Sequence, residues 1–391
     1  MTLFIALACL AAIAAPFVVY PLVLFLRAQI SPDPIAAADH TPDIDLIICA
    51  HNEEASIKTK LENALGLDYP QDRLTIWLAS DGSTDETVQI ARAFETRGVR
   101  VLDLPRMGKA HALNAAASAS HAEVLAFSDA NSQWQKTALR ALVRPLADER
   151  VGGVAGDQRY GKIVESDGHY DVSIGERSYW SFDRRLKHWQ SQAGSTISAT
   201  GAIYAIRRSL FQPPPADATD DFMISTGVIA NGKRLVFSED AIAVEPPAEA
   251  STGEFRRKVR ITTRGLCAVG YRRALLNPRT TGVYAIELLL HKLWRRLTWI
   301  PLLVLLFSAP LFWSAGGALA VLGTGVVGGL TIGSVGLIYP PLQRFKLIAI
   351  SSYVVMVNAA CAMATINSLR GHRVSHWNPE RAADPMPGRG S

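Results

Sequence analysis

Asp45-Leu46-Ile47-Ile48-Cys49-Ala50, followed at once by His51-Asn52-Glu53-Glu54, is the stretch that decides the fold. A short apolar run closed by polar residues suits a strand buried on both faces of a parallel sheet. Ser56 to Gly66 then reads as a helix, with Ile57, Leu61 and Leu65 at helical spacing. The alternation repeats along the chain. Leu74–Ala79 is a second predicted strand, ending at Ser80-Asp81-Gly82-Ser83-Thr84-Asp85, where Ser83 or Thr84 is placed to cap a helix running to about Arg97. Val99–Leu104 is a third strand, Lys109–Ser120 a helix, and Val124–Ser128 a fourth strand ending at Asp129-Ala130-Asn131. Strands alternating with helices predict an α/β, doubly wound, mostly parallel sheet. Ligands bind beyond the carboxyl ends of the strands in such sheets. Asn52-Glu53, Asp81-Gly82 and Asp129-Ala130-Asn131 each stand at a strand end, so they are expected to line one cleft. Each cluster alone reads equally as a turn or a helix cap; three in one sheet point to a site. No GxGxxG follows the first strand, which argues against a dinucleotide site of the usual form.

Outward from this core the chain becomes apolar. Residues 1–26 carry no charge, enough to span a hydrocarbon core of roughly 30 Å. With no basic n-region, they read as a retained anchor rather than a cleaved signal. Residues 297–343 run for 47 residues without a charge, room for two spans with a break at Gly316-Gly317. Residues 347–369 form another run, bounded by Lys346 and Arg370. The total expected is about four spans. Between Arg256 and Arg296 stand 11 Lys or Arg against one acid, Glu287. A membrane surface and phosphates explain this basic collar, and the net charge of +5, better than nucleic acid does. Cys9, Cys49, Cys267 and Cys361 are scattered and lack metal-site spacing, so they read as reduced thiols. The expected organisation is an N-terminal helix (1–27), a linker (28–42), a catalytic domain (43–254), basic interfacial helices (255–296), a C-terminal region of two to three spans (297–369) and a tail (370–391).

Taken together, ICAHNEE (48–54), SDGSTDET (80–87), RMGKAHALN (106–114), FSDAN (127–131), TGAIYAIRR (200–208), TDDF (219–222) and RKVR (257–260) resemble membrane-bound family 2 glycosyltransferases with the GT-A fold, the group that includes bacterial cellulose, hyaluronan and poly-N-acetylglucosamine synthases. The resemblance covers about residues 43–270. It implies an inverting transferase that moves a sugar from a nucleotide-sugar donor, a UDP-sugar by expectation, to a glycan or lipid-linked acceptor. By the same resemblance Ala50, Asn52, Glu53, Asp81, Lys109 and Asp129 hold the donor nucleotide. Asp129 and Asn131 match the Asp-x-Asp element that binds Mg²⁺ or Mn²⁺, and here Asn stands where a second acid is usual. Asp221, with Asp220, matches the general-base element, and Thr200, Gly201 and Ala202 the acceptor-side loop. Arg257 and Arg260 match the diphosphate-gripping Gln-x-x-Arg-Trp motif, with Arg257 in place of the glutamine and Ile261 in place of the tryptophan that supports a polymer end.

The expected partners are therefore the donor, a glycan or lipid acceptor and membrane lipids, with no nucleic acid. The expected location is a bacterial-type inner membrane. Arg27 after the first span places the catalytic domain in the cytoplasm by the positive-inside rule. Three further spans put the C-terminus outside, whereas Arg370, His372, Arg373 and Arg381 favour the inside; a re-entrant segment and a tail that breaks the charge rule both satisfy this conflict. Two other functions fit the same residues. One is transfer of a single sugar to a polyprenyl phosphate or other lipid. The other is a non-catalytic membrane component on a degenerate transferase fold.

Overall fold

The computed structural model describes the backbone of residues 1–161, 174–246 and 253–372, and side chains over the same residues apart from 174–181. Arg373 and Arg381 of the basic tail lie outside them. The described residues fall into two compact units, residues 33–246 and residues 1–32 with 253–372.

The first unit is an eight-stranded sheet: β1 (Ile44–Ala50), β2 (Leu74–Asp81), β3 (Val99–Leu104), β4 (Val124–Asp129), β5 (Gln133–Trp134), β6 (Val151–Tyr160), β7 (Tyr204–Arg207) and β8 (Arg234–Glu245). The strand order is β3-β2-β1-β4-β7-β6-β8-β5. The first four strands are parallel. β7 runs antiparallel to β4 and to β6, and β8 is parallel to β6. β1 is buried along its whole length, as its apolar run requires. Leu46, Ile48 and Ala50 pack with Ile57 and Leu61 of the helix Glu54–Leu65. Ile47 and Cys49 face the other way, towards Leu113 and Ala116 of the helix Lys109–Ala119. This is the two-sided burial of a doubly wound sheet. Each such Leu or Ile stabilises the fold by about 1.5–3 kcal/mol.

One expected feature differs. The helix after β2 starts only at Thr87 and is short, Thr87–Arg92, with Glu86 at its N-cap. Neither Ser83 nor Thr84 caps it. Ser83 Oγ instead accepts from the Asn52 N–H (3.1 Å), and Asn52 Oδ1 accepts from the Thr84 N–H (2.8 Å). The hydroxyls were legible as hydrogen-bonding groups, but the neighbouring strand end claimed them.

Residues 33–42 precede β1 as an extended strap on this unit. Asp33 pairs with both Arg150 and Arg234 (2.9 Å each), the Ala36 N–H meets Asp148, and Tyr69 donates to the Pro42 carbonyl.

In the second unit three helices are long and apolar enough to cross a membrane: Thr2–Ile30, Gly317–Ile338 and Lys346–Leu369, of 29, 22 and 24 residues. At 1.5 Å per residue each exceeds the hydrocarbon thickness of about 30 Å. The expected break at Gly316-Gly317 is present, both with positive φ (70° and 56°). The residues before it do not make a single long helix. They form Trp299–Phe307 and Ala309–Ala315, parted at Ser308 just ahead of Pro310, a position where proline cannot continue the helical hydrogen-bond ladder. Arg27 at the end of the first span pairs with Glu287 at 2.7 Å. Burial pushes the Glu287 carboxyl up to about 7 against the pull of Arg27.

Candidate functional site

The parallel strands end in a row, so their trailing residues share one edge of the sheet. Cys49 stands beside Asp129 and Ala50 beside Ser80 in register. Beyond β1, Asn52 holds a positive φ of 53°, a conformation that asparagine tolerates. His51 turns inward and its Nδ1 lies 2.7 Å from the Asp81 carbonyl. Glu53 is buried; its backbone N–H donates to Thr87 Oγ1 (2.7 Å) and its carboxylate accepts from Ser56 Oγ (2.6 Å).

Asp81 is 1% exposed. Its Oδ1 accepts the backbone N–H groups of Met107 and Gly108 at 2.8 and 2.7 Å, while Oδ2 is buried without a hydrogen-bond partner among the described residues. A buried, unmatched carboxylate oxygen is costly, so it marks a place for a donor from outside the chain.

Lys109 opens its helix after Gly108 (φ 98°). Its ammonium bridges two carboxylates, Asp129 at 2.7 Å and Asp220 at 3.0 Å. Burial works against this ammonium, but Asp129 and Asp220 outweigh it and raise its pKa well above the usual lysine range. β4 delivers Asp129. Residues just ahead of β7 deliver Gly201, whose missing side chain makes the approach possible: a Cβ there would stand 2.7 Å from Asp129 Oδ2. Thr219, Asp220 and Asp221 open the helix Asp220–Ala230, and Asp221 Oδ1 accepts the Phe222 N–H at 2.7 Å.

The structure therefore gathers Asp81, Lys109, Asp129, Gly201 and Asp220, with Asn52 and Glu53 at the adjoining strand end. Of the two adjacent acids, Asp220 pairs with Lys109 at 3.0 Å. Arg257 and Arg260 sit half-buried on the helix Glu254–Tyr271 of the other unit, one turn apart and so on one face. Ile261 beside them is 51% exposed.

For a metal the protein ligands are few. Asp129 and Asn131 offer one carboxylate and one amide oxygen, and no group of three His, Cys, Asp or Glu among the described residues is placed to hold an ion unaided. Both are hard oxygen donors that suit Mg²⁺ or Mn²⁺ if phosphate oxygens complete the shell.

Two polar residues under the site escape the motif reading. Lys60 is fully buried (0%), and its spacing from Ile57 and Ala64 already assigns it to the inner face of its helix. Burial lowers its pKa to about 7, opposed by Asp129 and Glu245. Glu245, at the end of β8, is buried too and pushed up to about 7 by that burial and by Asp129. Its carboxylate bonds to Ser132 Oγ and Gln158 Nε2.

Comparison with known proteins agrees with this geometry. Residues 45–213 match the model of Glycosyl transferase family 2. A probable glycosyltransferase, YdaM, of Bacillus subtilis is 30% identical over 182 residues, 44% of this chain and 42% of the relative. A beta-monoglucosyldiacylglycerol synthase of Nostoc is 30% identical over 118 residues, 29% of this chain and 25% of the relative. The matches thus span less than half the length of these curated relatives. Among solved structures, a mannosyltransferase of Pyrobaculum calidifontis in complex with GDP-Man and Mn²⁺ superposes with a TM-score of 0.69 at 23% identity, over 94% of this chain and 99% of that one; the likeness is one of fold, with its sheet and helices of the GT-A type. The strand-end cluster of Asp81, Lys109 and Asp129 lies inside residues 45–213, the part of this chain that matches the model of Glycosyl transferase family 2.

Proposed function

We propose that the chain is an inverting glycosyltransferase that moves one hexosyl unit from a nucleoside diphosphate sugar, a UDP-sugar in the first instance, to a lipid-linked or glycan acceptor at the cytoplasmic face of a membrane. The observation that carries this reading is the Asp129–Lys109–Asp220 chain of charges at the strand ends beside Asp81, whose Oδ2 awaits a donor. In this reading Ala50, Asn52, Glu53 and Asp81 hold the base and ribose, since carboxylates accept from N–H and hydroxyl groups. Lys109 fixes the orientation of Asp129 on the donor side. A divalent cation, when bound by Asp129 and Asn131 with the diphosphate, supplies charge neutralisation at the leaving group. Arg257 and Arg260 are proposed to add cationic contacts to that diphosphate.

Asp221, whose Oδ1 accepts the Phe222 N–H, is the proposed general base by its match to the general-base element. It takes the acceptor hydroxyl proton as the acceptor oxygen bonds to the anomeric carbon and the carbon–oxygen bond to the diphosphate breaks, releasing the nucleoside diphosphate. Thr200 to Ala202 form the acceptor side. The proposed organisation keeps residues 43–254 as the catalytic domain, 255–296 as basic helices on the inner leaflet, and 297–369 as membrane anchor.

Within this function, a lipid acceptor taking a single sugar is favoured over a growing polymer. Ile261 offers no aromatic face for a chain end, and the Nostoc relative is a glucosyldiacylglycerol synthase by name. The test is turnover of UDP- and GDP-sugars by the full chain in membranes, with the product extracted and sized. A single-sugar lipid is expected. A long polymer overturns the lipid reading, and absence of turnover with every donor overturns the transferase assignment.

A further inference from the structure

Beneath the turn that carries Asp129 and Asn131 lies a lysine that none of the roles above uses. Lys60 Nζ donates to Ser128 Oγ at 2.7 Å, on the residue before Asp129, and to the Ser132 carbonyl at 2.6 Å, on the residue after Asn131. It also sits 5.2 Å from the centroid of the Trp134 ring. One ammonium thus grips both ends of a five-residue turn and faces an aromatic ring on its third side, which matches its three tetrahedral donors. The helix reinforces the grip one turn later: Asn63 exchanges two bonds of 2.8 Å with the Trp134 backbone.

The network then crosses to the acceptor side. Ser128 Oγ and Trp134 Nε1 both reach the Ala202 carbonyl, at 3.2 and 2.9 Å, on the residue after Gly201, where a Cβ would stand 2.7 Å from Asp129 Oδ2. Ser132 Oγ is tied in turn to Glu245, which lies within the electrostatic reach of Lys60. An apolar residue at 60 would fill the same volume but leave the Ser132 carbonyl without its donor; a buried lysine needs a set of partners this complete.

We propose that Lys60 is a positioning residue of the donor site: its buried ammonium sets where Asp129 and Asn131 stand, and it links that turn to the acceptor loop at Ala202. The proposal rests on the reading of Asp129 and Asn131 as the donor-diphosphate side. It assigns to the helix Glu54–Leu65, whose first turn adjoins Glu53, a second role through its inner face.

The test is calorimetric binding of UDP and of GDP, each with Mn²⁺, to the full chain purified in detergent, for the parent, Lys60→Met, Ser128→Ala and Asp129→Asn. A positioning role predicts that Lys60→Met binds with unchanged stoichiometry and a dissociation constant at least tenfold higher, with Ser128→Ala showing a smaller shift of the same sign. A purely structural role lowers the stoichiometry, as molecules unfold, and leaves the dissociation constant of the rest within twofold; that result overturns the proposal. If Lys60→Met does not fold, Ser128→Ala carries the same criterion. Asp129→Asn separates the two levels: if it binds as the parent does, the donor-site reading itself is wrong, whereas loss in Asp129→Asn with parental affinity in Lys60→Met removes only the role of Lys60.

Discussion

Gly201→Ala is the sharpest perturbation of the site because it adds one carbon in a known place. The new Cβ would stand 2.7 Å from Asp129 Oδ2 and 3.3 Å from Cγ and Oδ1. Ordinary contact begins near 3.4 Å, so the carboxylate or the loop must retreat by about 0.7 Å. The opposite side of that carboxylate is the 2.7 Å bond to Lys109, which is in turn held by Asp220 at 3.0 Å. A hydrogen bond between charged groups contributes about 1.5–3 kcal/mol, and overpacking a filled site costs about 1–3 kcal/mol. If the displacement removes most of the first term from donor binding, affinity falls about tenfold to a hundredfold, at 1.4 kcal/mol per decade. The assay is donor turnover and binding of Mn²⁺ with UDP or GDP by the full chain in detergent, with thermal melting in parallel. Gly66→Ala, where the Cβ meets its first neighbour at 3.4 Å, is the control. Donor affinity within twofold of the parent for Gly201→Ala, with an intact melting transition, would refute the claim that the glycine makes room for the carboxylate.

Other perturbations follow from the same structure. Asp221→Asn is expected to lower kcat by about a hundredfold to ten-thousandfold with little change in donor KM; steady-state kinetics check this, and unaltered kcat removes Asp221 as the base. Chelation with EDTA is expected to abolish turnover, and Mn²⁺ or Mg²⁺ to restore it; activity that persists in EDTA removes the metal from the reaction. Glu287 has a folded pKa of about 7 against an ordinary value of 4.5, so its contribution is fully present below about pH 4.5 and is lost as pH rises through 7. The loss is on the order of 3 kcal/mol at 1.36 kcal/mol per pKa unit. Melting of the parent in detergent should therefore fall over that window relative to Glu287→Gln, and parallel curves would contradict the burial of this carboxyl. Asp148 has the opposite sign. Hydrogen bonds from Arg150 hold it well below the usual carboxylate range, so its stabilisation is present above about pH 4 and fades in acid. The melting deficit of Asp148→Asn should shrink as the pH drops below that point.

How much of this was legible beforehand depends on which forces act locally. The run from Leu46 to Ala50 announces a strand because burial on both faces demands successive residues without a charge, and the three acidic strand ends follow from sheet topology alone. Asp129 and Asp81 were therefore placed at one edge without any coordinates. Ser83 and Thr84 were misjudged because a hydroxyl does not specify which backbone it will bind; Asn52, some 30 residues away, decides it. The contact of Asp220 with Lys109 was likewise hidden, since adjacent acids on a first helical turn look alike until Lys109 arrives from another helix. Lys60 was visible in principle, as a charged residue at an inward helical position, but its meaning required the Ser128 and Ser132 partners 68 and 72 residues further on. The apolar runs gave membrane-length helices, yet Ser308 ahead of Pro310 broke one run that hydropathy alone treats as continuous.

The direction of β7 has a consequence for how such a chain can diversify. β6 is antiparallel to β7, and β7 to β4, with Tyr204 beside Phe127 and Ala155. The chain therefore leaves the sheet after Tyr160 and returns at Tyr204 on the same edge that presents Asp129. The two strands that bracket this segment are neighbours, with Ala155 of β6 beside Tyr204 of β7. The described residues 174–199 add no strand, so their exchange leaves the strand order as it is, and the sheet serves as a fixed socket for an interchangeable fitting. Chimeras that graft this segment from a relative would change what meets the donor while the strands that hold it stay as they are.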